Sequence, residues 1–215
     1  MSYTMYSQRD DRWQRVMLGE SSTTIGANGC LICSLASGLI DTGVHIAGLP
    51  PDPSVFNRWL ARHRGYVAPG GSPRERSLFV FGSLAALGVE MVAYIDARNQ
   101  PAPTDRLKEA LGFKDQFVVL HVDFKPGGAV QQHWVRAVEW YDDDVEVMDP
   151  WITGSSQQSY LMARYALPTW DTPARAIYRM VIYRYKKTEV EFPAVSPSRR
   201  AIVQEGLDTY QPYGE

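Results

Sequence analysis

Cysteine is nearly absent from this chain. Two occur in 215 residues, Cys30 and Cys33, three positions apart. A pair that close within one helix-patterned run excludes a disulfide framework and points to thiols kept reduced. Neither sign of charge is in excess: 22 basic against 24 acidic residues leave a formal net charge of −2. No basic footprint for nucleic acid or for an anionic membrane surface is therefore visible. Long apolar runs are missing too, and none reaches the roughly 18 residues that span a bilayer. The first residues, Met1 to Gln8, lack a basic segment followed by an apolar core, so no secretory signal is read there and a cytoplasmic location is expected. There is no internal repeat.

What is present centres on Gly29-Cys30-Leu31-Ile32-Cys33-Ser34-Leu35-Ala36. Leu31, Leu35 and Leu39 recur every fourth position, with Ile32, Ala36 and Ile40 beside them, which is helical spacing. Ser34, Ala36, Ser37 and Gly38 are small and would let another element approach closely. The spacing predicts a buried helix with Cys30 in its first turn. Unsatisfied N–H groups and the helix dipole favour negative charge there, which suits a thiolate nucleophile. Two cysteines packed as small hydrophobes is the plainer reading of the same residues. A thioredoxin-like Cys-x-x-Cys pair would need a preceding strand, and none is read before Cys30.

The flanking chain suggests helices first and sheet afterwards. Tyr6 to Trp13 is a polar leader anchored by Trp13, and Gly19 to Gly29 is a loop that delivers the chain to Cys30. Asp52-Pro53 opens a helix carrying Val55, Phe56, Trp59, Leu60 and His63. Ser77 to Leu87 reads as another helix, Val89 to Ile95 as a strand, and Thr104 as the cap of a helix running to Leu111. Phe117 to Val122 is a buried strand. His133 to Trp140 and Asp144 to Asp149, joined by a turn over Tyr141 to Asp143, form the clearest hairpin. Ala176 to Tyr185 is the last strand. The expectation is an α+β fold, N-terminal helices on an antiparallel sheet, over residues 1–188, with 189–215 as a polar tail or arm.

A cysteine nucleophile needs a base, usually histidine, and the base needs a third group to orient it. There are four histidines. His45 sits in a turn and His63 in a helix, while His121, inside a buried strand, reads as a satisfied core residue. His133 opens the hairpin and Asp149 closes it. With the turn near Asp142, position 149 falls opposite about position 135, beside His133. A turn-starting Asp-Pro and a partly exposed strand histidine are the plainer readings. Cys30, Cys33, His121 and His133 match no compact zinc spacing, so no metal or cofactor is assigned.

These segments together resemble the C39-like branch of the papain-like cysteine peptidases. Gln8-Arg9-Asp10-Asp11-Arg12-Trp13 matches that family's Gln-x-Asp-x-x-Trp stretch, Gly29-Cys30 its nucleophile helix, and Pro53 to Leu60 its following Pro, Asn and Trp-Leu segment. His133 to Val138, running on to Asp149-Pro150, matches its His and Asp segment. Leu31, where many members have Gly, and Cys33 depart from the pattern. The resemblance implies a papain-like fold and a thiol hydrolase of amide bonds. Cys30 would be the nucleophile, His133 the base, Asp149 the orienting group, and Gln8 with the Cys30 backbone N–H the oxyanion donors. It also implies a peptide or peptidoglycan-peptide substrate and bacterial or phage use, including release at lysis or carriage on a virion. An acyltransferase and a non-catalytic peptide-binding module are the alternatives on the same fold.

Overall fold

The computed structural model describes residues 3–67 and 75–186. The expected tail, 189–215, lies outside the described residues. Helices come first. Short α1 (Ile25–Asn28) is capped by the Thr24 hydroxyl, and α2 (Cys30–Asp41) follows after Gly29 alone. A Cβ at Gly29 would lie 2.5 Å from the Ile25 carbonyl, so only glycine lets the two helices join this tightly. Helix α3 (Pro53–Arg62) starts on Asp52, whose carboxylate accepts from the Ser54 and Val55 N–H groups, with Pro53 at its tolerated first position.

Next come β1 (Val89–Asp96), α4 (Thr104–Leu111), β2 (Gln116–Asp123), β3 (Gln132–Tyr141), β4 (Asp144–Met148), β5 (Gln158–Tyr160), α5 (Leu161–Tyr165) and β6 (Arg179–Tyr185). The six strands form one antiparallel sheet in the order β1-β6-β2-β3-β4-β5. The last strand is thus inserted between the first two, with hydrogen-bonding partners on both sides. Helices cover both faces. Leu35, Leu39, Phe56 and Leu60 pack with Phe117, Val119 and Tyr183 on one side. Leu107, Leu161 and Tyr165 pack with Leu120, Val135 and Ile182 on the other. Period-two alternation along β2 therefore feeds two cores rather than one core and solvent.

Helix α2 lies against β3 and β2, and its small residues permit the close approach. Ser34 donates to the Trp134 carbonyl at 3.2 Å, and Arg136 of β3 reaches back to the Ser37 carbonyl at 2.9 Å and to Asp41 at 2.5 Å.

Three expectations are corrected. The helix over 77–87 is a 3-10 turn over Phe81–Leu87, preceded by another over Glu75–Ser77. The intervening residues are extended, because Val67 N–H bonds the Leu78 carbonyl and Val80 N–H bonds the Gly65 carbonyl, both at 2.9 Å. Thr104 does not cap α4; Pro103 stands in the cap position and no side chain bonds the helix start. The last strand begins at Arg179, because Pro173–Arg175 forms a 3-10 turn closed by the Ala176 N–H on the Pro173 carbonyl. Elements α1, β5 and α5 were not anticipated: at three to five residues they are too short for a periodic signal. No helix among the described residues is long and apolar enough to cross a membrane.

Candidate functional site

Cys30 is the first residue of α2 and is half-buried, whereas Cys33, one turn on, is fully buried. Burial, with Cys30 nearby, pushes the Cys33 thiol up well above its ordinary value. The two cysteines of one motif therefore have different surroundings: one borders a cleft and the other belongs to the core.

His133 enters from the start of β3 and Asp149 from the residue just past β4. The register pairs Arg136 with Met148, which puts Asp149 opposite Val135, near the expected position; the turn pairs Tyr141 with Asp144, and a register shift between Ala137 and Glu139 supplies the last residue of offset. His133 Nε2 and Asp149 Oδ1 are 2.7 Å apart, and both side chains are buried. That leaves Nδ1 as the ring nitrogen not engaged by Asp149, and Cys30 is near enough to act on the imidazole. Burial works against the imidazolium, but the bond to Asp149, the nearness of Cys30 and the negative charge of both outweigh it. They raise His133 to about 9. Burial likewise works against the Asp149 carboxylate. The bond and charge of His133, the Tyr165 hydroxyl and the Trp151 N–H nevertheless hold it below its ordinary value. The arrangement can share a proton between a thiol and an imidazole, with a fixed carboxylate behind.

Gln8 is only 1% exposed, although it sits in a polar leader. The leader is tied down at several points. Gln8 N–H bonds the Pro150 carbonyl at 2.7 Å, the Ser7 hydroxyl donates to the same carbonyl at 3.1 Å, and the Trp13 indole N–H bonds the Ser7 carbonyl at 2.6 Å. The residue after Asp149 thus anchors the segment that carries Gln8. Gln8 Nε2 donates to the Gly26 carbonyl at 2.9 Å, leaving a second N–H, while Oε1 is buried without a partner.

A cleft of about 680 Å³ joins these residues; Gln8, Cys30, His133, Phe79, Trp134 and Trp151 are among those that line it. Its wall beyond His133 is aromatic. Phe124 meets the His133 ring edge-on at 5.1 Å and the Trp151 ring at 5.4 Å.

Several residues at the site carried no recognisable signal in the sequence. Arg164 Nε lies 2.5 Å from Asp149 Oδ2, and Trp151 N–H bonds Asp149 Oδ1 at 2.8 Å. Tyr165 is fully buried, its hydroxyl accepts from Arg164 Nε at 3.1 Å, and its ring stands 5.9 Å from that of His133. Arg164 and Tyr165 come from α5, a helix too short to predict. Only the Asp149-Pro150-Trp151 adjacency was open to notice. The other histidines stand apart. His45 and His63 are exposed, and His63 stacks on Trp59 at 4.5 Å. His121 is buried, but the expectation that it is satisfied is corrected, since neither ring nitrogen has a partner. Its ring stands 5.1 Å from that of Trp134 and 5.9 Å from that of Tyr178. Burial and the charges of Arg179, Arg98 and His133 lower it to about 4, against the pull of Asp123. Among the described residues no group of three or more His, Cys, Asp or Glu is placed to hold a metal ion.

No protein-family model and no curated protein sequence matches the chain. Among solved structures it is similar to a candidate C39-like peptidase from Bacillus anthracis, at 15% identity and a TM-score of 0.48. The match covers 86% of this chain and 96% of that one.

Proposed function

We propose that the chain is a cysteine-type hydrolase acting on peptide amide bonds. The observation that carries this reading is the meeting of Cys30 and His133 at one cleft, with the buried Asp149 bonded behind His133, from elements far apart in sequence. In the proposed cycle His133 Nδ1 takes the Cys30 proton and the thiolate attacks the carbonyl carbon. The imidazolium then protonates the leaving amine as the C–N bond breaks. Water, activated by the same imidazole, finally releases the acyl group and restores the thiol. Asp149 holds the ring and offsets its charge. Gln8 presents its second Nε2 hydrogen to the oxyanion, beside the Cys30 N–H. A peptide substrate, cell-wall peptides included, follows from the motif resemblance to C39-like peptidases.

The test is alkylation by iodoacetamide, read residue by residue, alongside turnover on a peptide library and a cell-wall preparation. Cys30 is expected to label first. Cys30→Ala and His133→Ala should abolish turnover while melting as cooperatively as the wild type, and Cys33→Ala should keep it. Full turnover in Cys30→Ala or His133→Ala would refute the assignment, as would preferential labelling of Cys33. Added amines distinguish hydrolysis from acyl transfer by the product formed.

A further inference from the structure

We propose that Arg164 is a positioning residue of this site, acting on His133 through Asp149. The inference rests on the function proposed above. Asp149 has no exposed surface, and its two oxygens are divided between two sets of donors. Oδ1 takes His133 Nε2 and the Trp151 N–H at 2.7 and 2.8 Å. Oδ2 takes Arg164 Nε at 2.5 Å. The same Nε lies 3.1 Å from the Tyr165 hydroxyl, and the Arg164 guanidinium stands 5.6 Å from the centre of the Tyr165 ring. A carboxylate gripped at both oxygens cannot rotate away from the imidazole.

The segment that brings Arg164 is itself tied to the hairpin. Asp149 N–H bonds the Gln157 carbonyl at 2.8 Å, and Met162 N–H bonds both oxygens of Asp144 at 3.2 Å. Residues 157–165 are therefore tied along β4 and to Asp149 at its end.

The guanidinium has a second consequence. A cation on the outer oxygen draws part of the carboxylate's charge away from His133, so the imidazolium is held less tightly than by an unshared aspartate. The charged and titratable groups acting on this pair are Cys30 from α2, His121 from β2, and Tyr165 and Arg164 from α5, while Arg9 of the leader stands over the neighbouring Trp151 ring at 5.2 Å. Of these, Arg164 is the one cation bonded to Asp149. With 31% of its side chain exposed, it can be replaced without opening a core cavity.

The experiment is the rate of turnover against pH for the wild type and three variants at position 164, with Cys30 alkylation read alongside to identify the reactive thiol. Removing the charge in Arg164→Gln should move the alkaline fall of the profile upward by about half a pH unit or more, because the imidazolium then faces an undivided carboxylate. Arg164→Lys should restore the wild-type position. Arg164→Met keeps much of the aliphatic stem against Tyr165, should shift like the glutamine variant, and serves if that variant fails to fold. A merely structural role would lower Tm and leave the profile in place. Superimposable profiles for wild type, Gln and Met would overturn the proposal, as would a lysine variant that stays shifted. Failure of the underlying function looks different: Cys30 would then not be the thiol labelled in the wild type.

Discussion

Gly38→Ala puts the contact between α2 and the sheet to a quantitative test. Gly38 faces Phe117, and a Cβ there would stand 2.2, 2.5 and 2.8 Å from ring atoms Cδ2, Cγ and Cε2. Carbon atoms in contact sit about 3.5–4 Å apart, so more than an ångström must be relieved. The ring cannot yield easily. Phe117 is buried, stacked on Tyr183 at 5.2 Å, and its strand is paired to β3 and β6 on either side. The helix must therefore move. Two effects compete. Alanine is about 1 kcal/mol better than glycine in a helix interior. Overpacking a close contact costs about 1–3 kcal/mol, and a rigid ring in a doubly paired strand places this case at the upper end. The net expectation is a loss of about 2 kcal/mol, or about 4–8 °C in Tm for a chain of this size. The shift should also reach the site. Cys30 is about 12 Å up the same helix, and a displacement of about 1 Å between reacting groups can lower a rate 10²-fold. Thermal melts followed by circular dichroism, with Cys30 alkylation rates at neutral pH, measure both. A variant that melts at or above the wild-type temperature would refute the reasoning, since propensity would have outweighed the clash.

Two further outcomes are expected. Gln8→Ala should lower kcat by about 10²–10³ with little change in KM and a nearly normal melt, because an oxyanion donor acts mainly in the transition state; wild-type turnover would return Gln8 to a purely structural role. Stability should peak near pH 6.5. His133, raised to about 9, contributes stability that is complete below 6.5 and is lost as pH climbs through 9. His121, lowered to about 4, contributes stability that is complete above 6.5 and is lost as pH falls towards 4. Denaturant melts across that range should show the acid loss shrinking in His121→Leu, and an unchanged acid slope would refute the assignment.

Much of the site was legible because its signals are local. Helix α2 begins at Cys30 since apolar residues recur at helical spacing from that point and glycine precedes them. The hairpin itself follows from its turn, which brings Asp149 to within a residue of its final place; the turn register alone would set it opposite Arg136, and a register shift between Ala137 and Glu139 sets it opposite Val135, two residues from His133. Asp52-Pro53 announced α3 through cap chemistry alone.

Other features were decided only by tertiary structure. Whether a polar leader residue such as Gln8 is solvated or buried depends on Pro150 and Gly26, partners 142 and 18 residues away. Arg164 has nothing in its neighbourhood to mark it until β5 and α5 fold back along β4. His121 looked like any strand histidine, and its lack of partners depends on which rings the sheet packs against it. Residues 78–80 carry a helical pattern, yet they are extended because residues 65–67 compete for their backbone groups. Periodicity, caps and turns act within a few residues, so one sequence window contains their cause. Burial, ion pairing and strand insertion join residues that only the folded chain brings together, and there the sequence supplies the groups but not their neighbours.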